Sequence, residues 1–250
     1  MRRLRFLLAV LWFGGAAGWA WIDRPGWAEP ASPTQLRALE AALNSGADLS
    51  TLLELGPGLD PNLQELRRRA LVRQFPDARW ELREGPTLRN GRTSVLVSVT
   101  GSRGEGPTRT RLEASQQLIL DSDAGRINSQ TVVQEQAIVR RGESPLPVTL
   151  QIPDAVLTGQ RYDVDVLFDE PLDGAMVAGG IAALTPQQVA SMESPDLQLD
   201  NLGGGGLFKT VQAPFQPGFQ TWAVLLVHPD GIVSTTKRVR VVSDQSELQL

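Results

Sequence analysis

Apolar residues recur at three- and four-residue spacing through the first part of the chain, which predicts helices. Leu36, Leu39 and Leu43 define the buried face of the first helix, and Gly46 ends it. The last helix is predicted to bury its leucines and to expose the arginine run 67–69. The predicted helices span residues 33–44, 48–55 and 61–75.

Beyond Pro76 the apolar period changes to two, which predicts strands with one buried face. Trp80 and Leu82, for example, alternate with charged residues. The turns between successive strands are short, so these strands are predicted to pair antiparallel. The strands of this first block are predicted over residues 78–83, 93–100, 109–120 and 127–139.

A polar segment at residues 140–145, with Gly and Pro, predicts a linker to a second block that is nearly all strand. In this block Tyr162, Val164 and Val166 alternate with aspartates, and turn signals recur about every ten residues, as in β-sandwiches. The predicted fold class is therefore α+β. N-terminal helices pack on a curved, cone-like antiparallel sheet over residues 33–142, followed by a β-sandwich domain over residues 146–243 and a tail over residues 244–250.

The N-terminus has the composition of an export signal. A basic start over residues 1–5 precedes an uncharged run over residues 6–22, and Ala28 ends a small-residue cleavage pattern. The predicted signal peptide spans residues 1–28. The alternative is an uncleaved membrane anchor through residues 6–22, which has the minimum length of a spanning helix.

Charge and composition narrow the classes of partner. The chain has a net charge of −4 at pH 7. Removal of residues 1–28 takes away four arginines and one aspartate and leaves 20 basic and 27 acidic side chains, a net charge of about −7. An acidic protein without a long basic run is not predicted to bind nucleic acid. A protein partner is predicted instead. The chain is also predicted to lie near a membrane, either by proximity or because the anchor holds it there.

Metal and cofactor chemistry has little support in the sequence. The chain has no cysteine and a single histidine, so no metal site and no cofactor are predicted. His228 lies in a Pro-Asp-Gly turn, where hydrogen bonding within the turn is its predicted role. The acidic run over residues 163–173 is predicted to be a solvated strand face, with calcium binding as the alternative.

Polar side chains on the long strands of the first block form a candidate pocket, made of Trp80, Glu113, Gln116, Gln134 and Glu135. A carboxylate beside an aromatic ring on a concave sheet suits acid–base chemistry. However, this block contains no histidine or tyrosine that would act as a second titrating group, so no catalytic residue is predicted. A polar sheet face that contacts another protein is the alternative.

Four glycines and a lysine form a candidate interaction loop, made of Gly203, Gly204, Gly205, Gly206 and Lys209. A phosphate-binding loop needs glycine directly before lysine and a helix after it. Here two residues separate Gly206 from Lys209, and a strand follows. The segment is therefore predicted to be a loop before an edge strand, whose glycines let another backbone approach closely.

Three resemblances add expectations. The element order over residues 33–142 resembles the nuclear transport factor 2-like superfamily, whose fold implies a pocket between sheet and helices. The second block resembles an immunoglobulin-like sandwich without its cysteine pair. The whole chain resembles an uncharacterised family of exported cyanobacterial proteins, on the residues Leu112–Gln117, Gly205–Lys209 and His228–Gly231. That resemblance implies the periplasm or the thylakoid lumen.

Together these features predict an exported, non-enzymatic protein-interaction protein. One version is an assembly or maintenance factor for a membrane-associated complex of the thylakoid or envelope. The alternative is a small-ligand-binding protein or an enzyme that uses the pocket of the first block. The sequence leaves the oligomeric state open.

Overall fold

A computed structural model of the 250-residue chain describes residues 29–142, 146–169, 175–192, 195–202 and 205–250. The predicted signal peptide, and with it the alternative anchor over residues 6–22, lies outside the described residues. Gly203 and Gly204 of the predicted interaction loop lie outside them as well.

Within the described residues the chain forms three α-helices and thirteen β-strands. The helices are α1 (Pro33–Ser45), α2 (Pro61–Gln74) and α3 (Pro186–Ser191). The strands of the N-terminal half are β1 (Glu29–Pro30), β2 (Arg79–Thr87), β3 (Thr93–Arg103), β4 (Thr110–Asp123) and β5 (Arg126–Gly142). Those of the C-terminal half are β6 (Val148–Gln151), β7 (Ala155–Leu157), β8 (Arg161–Phe168), β9 (Ala178–Leu184), β10 (Asp200–Asn201), β11 (Gly206–Gln212), β12 (Gly218–His228) and β13 (Gly231–Val242).

Local sequence signals fix the ends of α1. The Ser32 side chain accepts a hydrogen bond from the Gln35 backbone, and the Gln35 side chain accepts one from the Ser32 backbone, which forms a capping box. Gly46 ends the helix in the left-handed conformation with φ 79°. The first predicted helix is therefore confirmed.

The predicted second helix, over residues 48–55, is wrong. One 3₁₀ turn forms at Leu49–Thr51. After it the backbone leaves helical geometry because it pairs with β5: Glu54 N donates to Ile127 O, and Ile127 N donates to Leu52 O. Hydrogen bonds to a distant strand thus replace the bonds that would have continued the helix.

One large sheet runs through both halves of the chain. Its strand order is β10-β9-β12-β13-β5-β4-β3-β2, and β1 and β7 add to β4 and β13, which makes ten strands. All of these pairs are antiparallel except that of β7 with β13. The strand that joins the halves is β5, because it pairs with β4 at one edge and with β13 at the other.

The predicted fold class, a helix-packed cone followed by a separate β-sandwich, is wrong. The chain is mostly antiparallel β-sheet, and one continuous sheet takes the place of two separate ones. Arg140–Gly142, predicted to open a linker, belong to β5 and pair with residues 231–233 of β13. This pairing joins segments far apart in the sequence, so no local pattern signals it.

The two faces of the large sheet are covered differently. Leucines of α1 and α2 pack with the inward residues of β2 to β5 in one apolar cluster. A second sheet, with strand order β11-β8-β6, packs on β9, β12 and β13. Val239 of β13 packs against this second sheet. The preceding residue, Arg238, is in register with Glu135 of β5, which faces the helices. Because side chains alternate along a strand, the helices and the small sheet cover opposite faces.

Candidate functional site

The five predicted pocket residues lie on two faces of the large sheet. Trp80, Gln116 and Glu135 are buried on the face that α1 and α2 cover. Side chains alternate between the two faces along a strand. Glu113 is next to the inward-facing Leu112 and Gln134 is next to Glu135, so both are exposed on the opposite face. The structure therefore brings Gln116 and Glu135 together and separates Glu113 and Gln134 from them.

Gln116, Glu135 and Arg238 form a row across β4, β5 and β13, because Glu135 is in register with both of the others. Arg238 Nη1 donates to Glu135 Oε2 at 3.1 Å, and these two side chains are only 8% and 9% exposed. The Arg238 guanidinium also lies 3.5 Å from the centroid of the Phe219 ring, a cation–π contact. The row thus contains a buried ion pair flanked by a glutamine.

Helix α2 adds two more buried polar side chains, Gln64 and Arg67, which lie one turn apart. Arg67 is 2% exposed. Among the described residues no acceptor lies within hydrogen-bonding distance of its Nε, Nη1 or Nη2 atoms. Gln64 Oε1 and both amide atoms of Gln116, Oε1 and Nε2, likewise have no hydrogen-bond partner among the described residues.

Electrostatics link Arg67 to the row on the sheet. The pKa of Arg67 is lowered from its usual value, mainly because the side chain is buried. The nearby Glu135 carboxylate raises this pKa, and the Arg238 guanidinium lowers it further. An arginine in a protein nevertheless stays protonated. We call Gln64, Arg67, Gln116, Glu135 and Arg238 the buried polar cluster; it carries two positive charges and one negative charge.

The face that α2 buries differs from the predicted one. The helix buries Gln64, Arg67, Arg68 and Leu71, whereas Leu66 is 50% exposed. Arg67 and Gln64 precede Leu71 by four and seven residues, so a helical wheel that starts from Leu71 would have found them. The usual exposure of arginine favoured the opposite face.

The second candidate site is the predicted interaction loop and the strand that follows it. Gly205 has φ 76°, and Gly206 begins β11. Among the described residues β11 pairs with β8 alone, so it is an edge strand, as the sequence predicts. The Lys209 ammonium lies 5.6 Å from the centroid of the Trp222 ring, which places this side chain over the large sheet.

The backbone N–H and C=O groups of successive residues along β11 point alternately to β8 and to the free edge. Gly205 O accepts from Phe168 N, and Ala213 N donates to Gln160 O, so the odd-numbered residues bond to β8. The N–H and C=O groups of the even-numbered residues therefore point to the free edge. These residues are Gly206, Phe208, Thr210 and Gln212.

Aromatic side chains lie exposed along this edge. Phe208 is 63% exposed. A Cβ at position 206 would lie 3.0 Å from Cζ of its ring, so the ring lies across Gly206. Phe215, beyond the end of β11, is exposed too and lies against Gly159. We call the free edge of β11 with Phe208 and Phe215 the β11 edge.

Metal chemistry has no site in the part of the chain that the structure describes, where no group of three His, Asp or Glu side chains could hold an ion. Asp163 on the outer face of β8 accepts a hydrogen bond from Thr210 Oγ1 at 2.7 Å. His228 Nδ1 accepts from the Asp230 backbone at 3.1 Å, so the predicted hydrogen bond within the turn is confirmed. No helix among the described residues has both the length and the apolar character needed to cross a membrane.

One family model matches the C-terminal half of the chain. A family model described as a domain of unknown function, DUF8623, matches residues 143–242. The match begins directly after β5 and ends with β13, so it takes in the small sheet together with β9, β12 and β13. Helices α1 and α2, strands β1 to β5 and most of the buried polar cluster lie outside it. No curated protein matches the chain.

Proposed function

We propose that the chain is an exported, non-enzymatic protein-interaction protein that binds an extended segment of a partner protein at the β11 edge. The observation that carries this proposal is the row of outward-pointing backbone groups beside the exposed Phe208. An extended peptide that adds to such an edge gains main-chain hydrogen bonds, and side-chain contacts give it specificity.

The other edges of the two sheets are protected, which makes β11 distinct. Edge strands are commonly blunted by shortness, charge, proline or bulges. Accordingly, β10 has two residues and β6 has four. Strand β2 has exposed charged residues, a proline and a register shift between Glu84 and Thr87. By contrast, β11 has seven residues, and its one charged side chain, Lys209, is directed at Trp222.

Charge on the neighbouring strand suggests the chemistry of the partner segment. Phe208 is in register with Asp165, and Thr210 with Asp163, so the outer face beside the edge is acidic. An extended segment with an apolar residue for Phe208 and a basic residue for the aspartates fits this surface. The net charge of about −7 without residues 1–28 agrees with a basic partner.

Export belongs to the same proposal and rests on the basic and uncharged segments of residues 1–28. The proposed location is the periplasm or the thylakoid lumen, where the chain would assist assembly or maintenance of a membrane-associated complex. Intact-mass measurement of the protein from fractionated cells tests this part. A mass that corresponds to residues 29–250 supports cleavage, a full-length chain in the membrane fraction supports an anchor, and a full-length cytoplasmic chain contradicts export.

Photo-crosslinking tests the binding edge. A photoreactive phenylalanine analogue replaces Phe208, and in a control chain it replaces Leu55, which is 73% exposed in the N-terminal half. We expect an adduct from position 208 and none from position 55. Equal adducts from both positions would contradict the proposal, and an adduct with the mass of two copies would indicate self-association instead.

Substitution of Thr210 then distinguishes strand addition from other contacts. The N–H of Thr210 points to the free edge, so Thr210→Pro removes a donor from the edge and leaves the bonds to β8 in place. Thr210→Ala is the matched control, because it loses the same hydroxyl bond to Asp163 but keeps the N–H. We expect the proline variant alone to lose the adduct; equal adducts from both variants would exclude strand addition.

A further inference from the structure

Arg67 is a desolvated charge without a hydrogen-bonding partner among the described residues, which sets it apart from the other buried arginines. Arg68 donates to Glu65, and Arg240 donates to the carbonyls of Val133 and Glu247. A buried guanidinium without acceptors is strongly unfavourable. Folded proteins retain such a group where another species supplies the missing oxygens.

The atoms without partners indicate what that species is. Arg67 presents five N–H donors and Gln116 presents two more, so donors predominate in the buried polar cluster. The charges of Arg67, Arg238 and Glu135 leave an excess of one positive charge. Because Arg238 already binds Glu135, the charge of Arg67 is the one left to balance. Water would satisfy the donors but would leave this charge uncompensated.

We propose that a small carboxylate binds between α2 and the sheet, with Arg67 as its principal ligand and Gln116 as a second donor. A planar carboxylate accepts two parallel hydrogen bonds from one guanidinium. Its single negative charge matches the single positive excess, whereas a phosphate dianion would exceed it and would meet the carboxylate of Glu135. The site is independent of the β11 edge, and its two proposed ligands, Arg67 and Gln116, lie outside the region that the family model matches.

Two acceptors refine the class of ligand. Gln64 Oε1 and Gln116 Oε1 have no donor among the described residues, although Gln64 is 1% exposed and Gln116 is 3% exposed. A ligand that carries a hydroxyl group would supply one. Among carboxylates, a small hydroxy acid therefore fits the cluster better than an alkanoate of the same size.

Thermal unfolding of the full chain tests this site. The protein is first unfolded and refolded in sodium chloride to remove any carboxylate that co-purifies. It is then melted in chloride, propionate, lactate or phosphate at equal ionic strength. At a ligand concentration about 100 times Kd we expect Tm to rise by roughly 5 °C. The rise should be larger for lactate than for propionate, and chloride should give none.

Each other result of this experiment overturns the proposal or part of it. An equal Tm in chloride and in both carboxylates would show that Arg67 is not a carboxylate site. A larger rise in Tm with phosphate than with the carboxylates would exclude the proposal that the site selects a ligand with a single negative charge. Equal rises in lactate and propionate would exclude the role of the two glutamine oxygens as acceptors for a hydroxyl group.

Variants of α2 locate the effect. Arg67→Met should abolish the rise in Tm with carboxylate, and Arg67→Lys, which keeps the charge but loses the planar fork, should reduce it. Arg69→Met is the matched control, because Arg69 lies on the same helix with its side chain 69% exposed and should keep the full response. An unchanged response in Arg67→Met would overturn the assignment. If that variant fails to fold, Arg67→Lys decides.

Discussion

The two faces of the large sheet are buried by different means, and buried polar groups at the centre of each face are paired differently among the described residues. On the face covered by the small sheet, the Tyr162 hydroxyl donates to Gln220 Oε1 at 2.5 Å and accepts from Trp222 Nε1 at 2.9 Å. On the face covered by α1 and α2, Arg67 and Gln116 have no partner among the described residues.

This difference suggests which face of the sheet stabilises the fold and which face binds another molecule. A core in which buried polar groups such as Tyr162 and Trp222 bond to one another needs no bound species to satisfy those groups. A core that keeps an unpaired guanidinium is less stable than an apolar one would be. The helix-covered face is therefore where a bound species is expected, and the sheet-covered face is expected to act as scaffold.

The largest expected effect is that of removing the charge of Glu135. Glu135→Gln removes the carboxylate that binds buried Arg238 and that favours the charged form of buried Arg67, which should cost about 3–5 kcal/mol. Glu113→Gln on the opposite face is the matched control, because Glu113 pairs with Arg140 at 2.8 Å with its side chain 61% exposed, and its loss should cost about 0–1 kcal/mol. Urea denaturation in chloride measures both. Similar costs would remove the contrast between the faces.

An intermediate effect is expected on the sheet-covered face. Tyr162→Phe keeps the ring but leaves the Trp222 N–H and the Gln220 oxygen without their partner. We expect a loss of about 1–3 kcal/mol in the free energy of unfolding, also measured in urea. A neutral result would mean that these groups find other partners, and that this face is not a closed network either.

A smaller effect concerns alkaline pH. Burial raises the pKa of Tyr162 above the usual value of a tyrosine, and the hydrogen bond from Trp222 lowers this pKa by less. The unfolded chain therefore loses the proton first, so the stability that Tyr162 contributes is complete below pH 10 and is lost as pH rises through the folded-state pKa. Tyr162 is the single tyrosine of the chain, so ultraviolet absorbance follows it directly. If the titration midpoint of Tyr162 in the native protein were equal to or lower than its midpoint in the urea-unfolded chain, the prediction would be contradicted.

The smallest effect on stability is expected at the β11 edge. Phe208→Ser removes an exposed ring, so the free energy of unfolding should change by less than about 0.5 kcal/mol. Binding of a partner segment should nevertheless weaken, as measured by the yield of adduct from a crosslinker placed at Phe215. A large loss of stability would show that Phe208 is part of the scaffold. An unchanged adduct would remove it from the binding edge.

Local patterns in the sequence were enough to predict most elements. The cap at Ser32 and the period of two along Tyr162–Val166 are properties of short segments, and the structure forms α1 and β8 there. The pairing of β5 with β13 depends on residues far apart in the sequence, so the predicted cone-like sheet followed by a separate sandwich was wrong. Strand pairing of this kind carries almost no local signal.

The candidate site was predicted in part for the same reason. The strand pattern identified Gln116 and Glu135 as polar residues, but it did not show which face of the sheet each residue lies on, and the structure places Glu113 and Gln134 on the opposite face. Arg67 was missed because burial of a charged side chain runs against the usual preference. An edge strand after the glycines was predicted, whereas the exposure of Phe208 required the structure.

The position of β5 between β4 and β13 has a consequence for the order in which the chain folds. Strand β13 follows the other described strands in the sequence, so during synthesis the long edge of β5 stays open until residues 231–242 have emerged. Until then the incomplete sheet is prone to aggregation, and a chain that ends before Gly231 should depend on chaperones. We expect the 250-residue chain to unfold in a single transition, because neither half can release β5 without exposing the edge of the other.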